Sequence, residues 1–337
     1  MAELVSVLIP AYNAEQWIAE TVNSALRQTW PNTEIIIVDD GSSDDTLRIA
    51  RQFESKSVKV ATQQNMGAST ARNKALSLAQ GDYIQWLDAD DLLAPEKISD
   101  QLKFAGEGRK TAVLLSSAFG MFYYRHNKAR FMPSPLWRDL KPVEWLLIRF
   151  VENVWMSPAV WLVNRKLTEL VGSWDQRLSL DDDGEYFCRV VAASEEVKFA
   201  PRALSYYRVG NLGSLSMTKS DEALGSLSLA ISLSVKHLLS LEDSPRTRLA
   251  CLSYLQNRFG YFYPDKKELI KKVCALAQQL GGDVLAPKES WRFHLMRKMV
   301  GWNTAMNIKN IAWVVETLAA RKWDKLFCNS FIARRSE

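Results

Sequence analysis

Three short apolar segments that alternate with two helical segments constrain the fold of this chain more than any other feature. Residues 4–10, 34–38 and 58–60 are nearly continuous apolar runs, and residues 15–28 and 46–54 carry apolar side chains at helical spacing. Short runs of this kind suit strands that are buried on both faces of a sheet. The β-α-β-α-β order therefore predicts a doubly wound, mostly parallel sheet with helices on both faces.

Polar clusters stand where the predicted strands end. Tyr12 and Asn13 follow the first strand, Asp39 and Asp40 end the second, and Asp88 follows a further apolar run. Ligands of doubly wound sheets bind off the carboxyl ends of the strands. We therefore expect these residues to line one crevice.

The apolar run at residues 82–87 leads directly into three carboxylates, those of Asp88, Asp90 and Asp91. Burying them unpaired would cost several kcal/mol each, so they need a partner. A hard divalent cation takes one or two protein carboxylates and leaves positions open for substrate phosphates. The alternative is a solvated turn that caps a helix starting near Pro95.

A glycine followed by small residues precedes the next predicted helix. Gly67 permits close backbone approach, and Arg72 lies near the start of that helix. A helix N-terminus combined with an arginine is suited to hold a diphosphate. An ordinary turn, with Arg72 in a surface ion pair, is the alternative.

Five segments, in order along residues 6–91, resemble the successive signatures of family 2 glycosyltransferases of the GT-A fold. They are residues 6–13, 28–31, 36–44, 65–73 and 86–91. The resemblance implies a Rossmann-like GT-A catalytic domain with a mixed, mostly parallel sheet. It also implies a nucleotide-diphosphate sugar donor, for which we expect UDP, and Mn²⁺ or Mg²⁺ bound by Asp90 with help from Asp88.

The same resemblance implies roles for five donor-binding residues, Pro10, Tyr12, Asp40, Arg72 and Asp88. Further donor-binding candidates are Asn65 and Gly67 of the glycine-containing segment and Arg208 of a later loop. Pro10, Tyr12 and Asp40 are expected near the base and ribose. Arg72 is expected near the diphosphate, and Asp88 near the ribose or the metal.

Two downstream segments resemble the second half of the family pattern. Residues 172–178 are similar to its Gly-x-aromatic-Asp-Glu-x-Leu segment, and residues 181–189 resemble its acidic pair followed by a helix. Because this chain has Asp182-Asp183 where the family has Glu-Asp, we take Asp183 as the catalytic base and keep Asp182 as the other candidate. Neighbouring carboxylates would raise the pKa of such a base. An acidic first turn that merely stabilises the helix is the alternative.

Two less specific stretches complete the candidate site. Trp155 and Trp161 are expected on the acceptor side, where a tryptophan would stack on a sugar ring, or else in the core. Arg208 and Ser214 belong to a Gly/Ser-rich loop that would close over the donor and reach its diphosphate, or else serve as a plain connector.

The composition, with 337 residues, 47% hydrophobic and 24% charged, is that of a folded protein with a substantial core. Four widely separated cysteines indicate neither a disulfide framework nor a zinc site, and they favour the cytoplasm. We find no signal peptide or transmembrane segment, and expect a soluble protein or one peripheral at the inner face of the membrane. The net charge of +5 is too small for a nucleic-acid reader.

Residues 219–337 are expected to form a helical C-terminal domain or extension after a catalytic domain at residues 1–218. From residue 288 onward there are 10 Lys/Arg against 4 Asp/Glu, whereas residues 1–100 have 8 against 15. This C-terminal segment interleaves aromatic with basic side chains, including Trp291, Arg297 and Trp302. It suits a helix that lies on an anionic membrane, or one packed on the catalytic domain with its basic residues outward.

The function that these features predict is a metal-dependent, inverting glycosyltransferase that moves a sugar to a hydroxyl acceptor. The acceptor would be a polysaccharide, a lipid-linked sugar or a protein. The alternatives are an inactive nucleotide-sugar-binding protein and a nucleotidyltransferase. The latter would show a Gly-rich, basic loop after the first strand, and residues 11–14 do not form one.

Overall fold

The computed structural model describes residues 2–106, 112–211, 220–287 and 291–333. Within them the β-strands are β1 (Val5–Ala11), β2 (Thr33–Asp39), β3 (Val58–Thr62), β4 (Tyr83–Trp86), β5 (Leu92–Leu93), β6 (Val113–Phe122), β7 (Arg130–Phe131), β8 (Leu162–Asn164) and β9 (Glu196–Arg208). The α-helices are α1 (Ile18–Leu26), α2 (Thr46–Arg51), α3 (Ala68–Leu78), α4 (Lys97–Ala105), α5 (Pro142–Glu152), α6 (Arg165–Val171), α7 (Asp182–Ala193), α8 (Asp221–Leu241), α9 (Pro245–Phe259), α10 (Lys267–Gln279), α11 (Trp291–Val300) and α12 (Trp302–Ala333).

The strands form one mixed sheet in the order β3-β2-β1-β4-β8-β6-β9-β5, with β7 paired to β6. The neighbours β3, β2, β1 and β4 are parallel, as the alternation of the sequence predicts. Strand β8 runs antiparallel to both β4 and β6, while β6 and β9 are parallel. The predicted mixed, mostly parallel α/β architecture with C-terminal helices is confirmed.

Alternate residues of the central strands face two hydrophobic clusters, one on each side of the sheet. Val7 and Ile9 of β1 belong to a cluster that also contains residues of α1, α2 and α4. Leu8 belongs to a second cluster, which contains residues of α3, α5 and α7. Because side chains alternate along a strand, apolar residues at successive positions require cover on both faces.

Helices α8, α9 and α10 contribute to the second cluster, through residues such as Leu227, Tyr254 and Ala277. Pro245 is the first residue of α9, where proline costs no helical hydrogen bond, and Ser244 caps this helix. The predicted boundary between residues 218 and 219 lies outside the described residues and stays a prediction.

Helix α8 is long and apolar enough to cross a membrane, judged by length and composition alone. No such segment is expected from the sequence, so α8 is an exception to that prediction. Half of its most apolar window is buried inside the protein, where Leu227, Ile231 and Val235 join the second cluster. Core helices of folded domains meet the same criteria.

Candidate active site

The polar clusters predicted at the strand ends lie together at the carboxyl ends of the parallel strands. Ala11 of β1 pairs with Asp39 of β2, and Leu8 of β1 pairs with Trp86 of β4. Asp88 follows two residues after β4. The β1, β2 and β4 ends thus bring their polar residues to the same side of the sheet, as parallel pairing requires.

The turn after β1 leaves one aromatic ring open to solvent. Pro10 is partly buried within the strand, whereas half of the Tyr12 surface is exposed. Asn13 adopts the left-handed conformation and its side-chain oxygen accepts a hydrogen bond from the Ser43 N–H, at 2.9 Å. This arrangement leaves Tyr12 available to a planar ligand.

The two carboxylates that end β2 have different surroundings. Asp40 accepts hydrogen bonds from the N–H groups of Met66 (3.0 Å) and Gly67 (2.9 Å) and from the Gln63 amide (2.8 Å). Asp39 is also buried, but its Oδ1 has no hydrogen-bond partner. Burying a carboxylate oxygen without a hydrogen bond costs free energy, so Asp39 Oδ1 is suited to accept a hydrogen bond from a bound ligand. The sequence predicts a donor role for Asp40 alone, although Asp39 is adjacent to it in the same motif.

The loop held by Asp40 leads into helix α3. Gly67 precedes the helix with φ 89°, a conformation that favours glycine. The backbone N–H of Asn65 comes so close to Gly41 that a Cβ there would lie 2.8 Å from its nitrogen. The Asn65 side chain itself is exposed at the crevice.

Arg72 joins the two halves of the candidate site. Its guanidinium donates to Asp182 Oδ2 at 2.6 Å and to Asp88 Oδ1 at 2.9 Å, and it lies 4.4 Å from the centre of the Trp174 ring. Although burial acts in the opposite direction, the two carboxylates raise the pKa of Arg72 above its usual range. The alternative of a surface pair is wrong, because Arg72 is buried.

The carboxylates after β4 are not equivalent. Asp91 is completely buried and accepts hydrogen bonds from the Arg208 N–H (2.8 Å) and the Ser157 hydroxyl (3.3 Å). Asp90 accepts one from the Asn211 amide at 3.3 Å. Burial, followed by repulsion from Asp88, raises the pKa of Asp90 to about 6. Asp91 is thus held by the protein, whereas the negative charge at Asp88 and Asp90 is only partly compensated.

The chemistry of this pair fits a hard divalent cation. Two carboxylates in mutual repulsion are stabilised by a cation such as Mn²⁺ or Mg²⁺. No group of three His, Cys, Asp or Glu side chains in the described part of the chain is arranged to hold a metal by itself. Substrate phosphates or water would therefore supply the other ligands.

The second acidic cluster forms the start of helix α7. Asp181 precedes the helix in the left-handed conformation, and Asp182 accepts hydrogen bonds from Arg72 and from the Ser69 hydroxyl at 3.1 Å. Asp183 accepts one from the neighbouring Gly184 N–H at 2.9 Å. Burial, followed by repulsion from Asp182 and Asp181, raises the pKa of Asp183 to about 7.

Two residues that the sequence gave no reason to single out support this turn. The Tyr254 hydroxyl donates to Asp181 Oδ2 at 3.3 Å, and Arg149 is buried with its Nη1 unpaired. A Cβ at Gly184 would lie 2.1 Å from Asp181 Oδ1 and 2.7 Å from Arg149 Nη2. Glycine is therefore required for this close approach, which no sequence spacing could indicate.

Arg208 makes its contacts within the protein. It donates to the carbonyls of Asp90 and Tyr123, both at 2.8 Å, and to Glu20 Oε2 at 2.6 Å. The guanidinium lies 4.3 Å from the Trp17 ring centre. These contacts favour a role in positioning Asp90, while direct contact with the donor stays a prediction. Ser214 lies outside the described residues.

The two tryptophans predicted on the acceptor side have different environments. Trp161 is completely buried and stacks on Phe187, so it belongs to the core and offers no face to a sugar. Trp155 is 40% exposed and packs against Phe119 and Tyr207. Only Trp155 of the pair is placed to meet an acceptor.

Sequence comparison gives a family match over much of this site. Residues 6–153 match the model of "Glycosyl transferase family 2". A 103-residue segment is 48% identical to WfaP of Escherichia coli, named as a UDP-Glc:α-D-GlcNAc-diphosphoundecaprenol β-1,3-glucosyltransferase; it covers 30% of this chain and 41% of WfaP. The chain spans 41–46% of the length of four curated relatives, WfaP included.

Solved structures share the fold. TarS of S. aureus, determined with UDP-GlcNAc, superposes with a TM-score of 0.64 at 18% identity and covers 82% of this chain and 81% of its own. The mannosyltransferase PcManGT of Pyrobaculum calidifontis, determined with GDP-Man and Mn²⁺, gives a TM-score of 0.53 at 16% identity, covering 96% and 88%. At these identities the likeness concerns the fold alone.

Proposed function

We propose, from the match of residues 6–153 to the model of glycosyl transferase family 2, that the protein transfers a sugar from a nucleotide-diphosphate donor to a hydroxyl acceptor. One observation carries the proposal. Arg72 bridges Asp88 and Asp182, so a carboxylate pair suited to a metal and a carboxylate suited to act as base share one crevice. A transferase needs both kinds of group near the same reacting carbon.

On the donor side, we assign the base and ribose to the β1 and β2 ends. Tyr12 offers an exposed ring, and Asp39 offers a buried carboxylate oxygen that would accept a hydrogen bond from the base. Pro10, Asn65 and Gly67 form the surrounding backbone. The names of WfaP and the TarS complex, a UDP-Glc enzyme and a UDP-GlcNAc complex, support a UDP-sugar as the donor.

The metal, Mn²⁺ or Mg²⁺, would be held by Asp90 and Asp88 together with the donor diphosphate. When bound, it offsets the negative charge that develops on the leaving nucleoside diphosphate. Arg208 and Asn211 fix Asp90 through its backbone carbonyl and its carboxylate. Arg72 holds Asp88 in the donor-free protein, and its charge lies within reach of the diphosphate region.

Transfer would proceed by a single displacement. Asp183 accepts the proton of the acceptor hydroxyl while that oxygen forms a bond to the anomeric carbon. The bond from that carbon to the diphosphate oxygen breaks, and the nucleoside diphosphate leaves with the electron pair. Attack from the opposite face inverts the anomeric configuration.

Asp183 is preferred over Asp182 as the base because of their partners. Asp182 is engaged by the buried Arg72 and by Ser69, which both donate to its Oδ2, so this oxygen is already occupied by protein donors. The pKa of Asp183 is raised to about 7, which is suitable for proton transfer near neutral pH. A carboxylate with its pKa raised in this way also favours an active enzyme over the alternative of an inactive nucleotide-sugar-binding protein.

The acceptor is assigned only to a class: a saccharide, a lipid-linked sugar or a protein hydroxyl. Trp155, exposed beside Phe119 and Tyr207, would provide a stacking surface for its sugar ring. The name of WfaP, whose acceptor is a lipid-linked sugar, supports the second option. Because the four separated cysteines favour a reducing compartment, we assign the reaction to the cytoplasm.

A thermal-shift screen of nucleotide sugars, each with and without Mn²⁺, tests this function. A ligand at about 100 times its Kd stabilises the native state by roughly 2.7 kcal/mol. We expect a metal-dependent shift with a UDP-sugar, and its loss in Asp90→Ala. Asp243→Ala, which removes the half-exposed acid of the Arg248 pair, is the matched control. A folded protein that no nucleotide sugar stabilises would contradict the proposal.

A further inference from the structure

Helix α12 is fixed to the catalytic domain along one face. Asp324 accepts hydrogen bonds from the N–H groups of Tyr124 and Arg125 and pairs with the Arg125 side chain at 2.6 Å. Arg321 donates to the Gly210 carbonyl at 2.5 Å. On the same face, Thr317 is buried. These contacts hold the helix in a defined orientation, so its opposite face is a defined surface too.

That opposite face is apolar and exposed. Four side chains recur at intervals of three and four residues, which places them on one side of a helix. They are Ile308, Ile311, Val315 and Leu318, with exposures between 43% and 62%. Leu326 and Trp323 extend the exposed apolar surface toward the C-terminal end. On α11, Leu295, Met299 and Val300 are exposed as well.

The exposed charges beside these apolar residues are mainly positive. Lys298 and Lys322 are exposed on the two helices, and so is Lys325, although its Nζ lies 5.6 Å from the centre of the Tyr124 ring; Glu316 is the exposed acid among the described residues there. The sequence from residue 288 onward has 10 Lys/Arg and 4 Asp/Glu. An apolar surface rimmed by lysines matches the two components of an anionic bilayer, its acyl chains and its headgroups.

We propose that α11 and α12 form a surface that docks on an anionic lipid bilayer. The apolar side chains enter the boundary between headgroups and acyl chains, and the lysines contact the anionic headgroups. Trp323 is 66% exposed on this surface, and tryptophan is favoured at that boundary. The proposal does not rest on the transfer reaction.

A second copy of the chain whose helix ran parallel to α12 fits this surface less well. In a parallel pair of helices, the spacing of Ile308, Ile311, Val315 and Leu318 would continue at residues 322 and 325. Both of these are lysines, and they would face the same lysines of the other copy. Such like-charge contacts are unfavourable at the seam of a helical pair, whereas they are favourable at an anionic membrane.

The docked helix also lies next to the catalytic crevice. Arg321 holds the carbonyl of Gly210, and the next residue, Asn211, donates to Asp90. A bilayer on the outer face of α12 would therefore be separated by this one helix from the segment that contacts Asp90. If the acceptor is carried by a lipid, as the proposed function allows, docking through α12 would bring it close to the catalytic domain.

Flotation of the full chain with lipid vesicles tests the proposal. We expect binding to vesicles made of equal parts phosphatidylcholine and phosphatidylglycerol, and much weaker binding to phosphatidylcholine alone or at high salt. The variant Ile311→Ser/Leu318→Ser should bind at least about tenfold more weakly, since two apolar anchors are lost. The control Leu170→Ser/Leu249→Ser alters two exposed leucines elsewhere, at 72% and 64% exposure, and should bind as the wild type does.

Three results would overturn the proposal. The first is failure of the wild type to bind the anionic vesicles, and the second is equal binding of the Ile311→Ser/Leu318→Ser variant and its control. The third is a change from dimer to monomer in that variant, measured by light scattering without lipid, which would assign the surface to a second copy. Circular dichroism of both variants verifies folding. Lys322→Glu keeps every apolar residue of the surface, so weaker binding of this variant to the anionic vesicles measures the contribution of the lysines alone.

Discussion

The two acidic clusters of the crevice have nearly the same composition and different arrangements. After β4, Asp91 is held by protein donors, while Asp88 and Asp90 retain charge that is only partly compensated. Before and within α7, Asp182 is held by Arg72, while Asp183 has a raised pKa. Each cluster thus combines a carboxylate fixed by the fold with one left for chemistry.

The difference between the clusters lies in what the remaining charge can do. Two carboxylates that repel each other beside a crevice attract a cation, as we propose for Asp88 and Asp90. A single carboxylate with a pKa near neutrality is suited to exchange a proton, as we propose for Asp183. Partners, more than residue type, therefore distinguish a metal ligand from a base.

The largest effect is expected from Asp183→Asn. The amide cannot accept the hydroxyl proton, so the transfer rate should fall by about 10³-fold, within the usual range for general bases. Donor binding, which depends on the other cluster, should be nearly unchanged. Single-turnover kinetics and calorimetry with the donor measure the two quantities separately.

The neighbouring variant Asp182→Asn is the control for this comparison. It keeps a side chain of the same shape but weakens the pair with Arg72. We expect a smaller loss of rate together with altered donor binding, because Arg72 also contacts Asp88. Equal rates for Asp183→Asn and the wild type would transfer the role of base to another residue.

The second effect concerns the link between the clusters. In Arg72→Met, the carboxylates of Asp88 and Asp182 lose a buried common partner. Breaking a buried ion pair costs about 3–5 kcal/mol, so the free energy of unfolding should fall by about 3 kcal/mol in urea titrations.

Arg177→Met provides the matched control for the Arg72 variant. Arg177 also pairs with a carboxylate, that of Asp175 at 2.6 Å, but its side chain is 68% exposed. Exposed pairs contribute little to stability, so no measurable change is expected. If both variants were equally stable, the bridge would not hold the clusters together.

Much of the fold follows from the sequence, and the exceptions have a physical reason. The parallel strands β1 to β4 were predicted because their apolar runs are continuous and each is followed by a helix or a polar turn. Strand β8, which lies antiparallel between β4 and β6, has three residues. A run of that length carries no periodicity of its own, and its place depends on tertiary pairing.

The candidate site was predictable in its residue types but less so in its partners. Arg72 was expected near the diphosphate, and its pair with Asp182, 110 residues away, is visible only in the folded protein. The burial of Trp161 depends on packing against Phe187 in the same way. Local motifs fix which chemical groups are present, whereas long-range packing determines which of them remain free.

The smallest effect is the pH dependence, and it separates the two clusters. Because the pKa of Asp183 is raised to about 7, the rate at saturating donor should rise with pH through about 7 and then level off. One pH unit below the pKa, the rate should be about tenfold lower than its plateau at high pH. Titration at Asp90 would instead change donor affinity, and so would alter KM more than kcat.

The raised pKa of Asp183 also makes the free energy of unfolding depend on pH. A carboxyl group whose pKa is higher in the folded than in the unfolded protein contributes stability below about pH 4, and this contribution is lost as the pH rises through about 7. Asp183→Asn should therefore be more stable than the wild type at about pH 8 and show no such advantage at about pH 4. Denaturant titrations at both pH values measure this difference. An advantage of equal size at both would show that it arises from packing, and the raised pKa of Asp183 would then no longer support its role as the base.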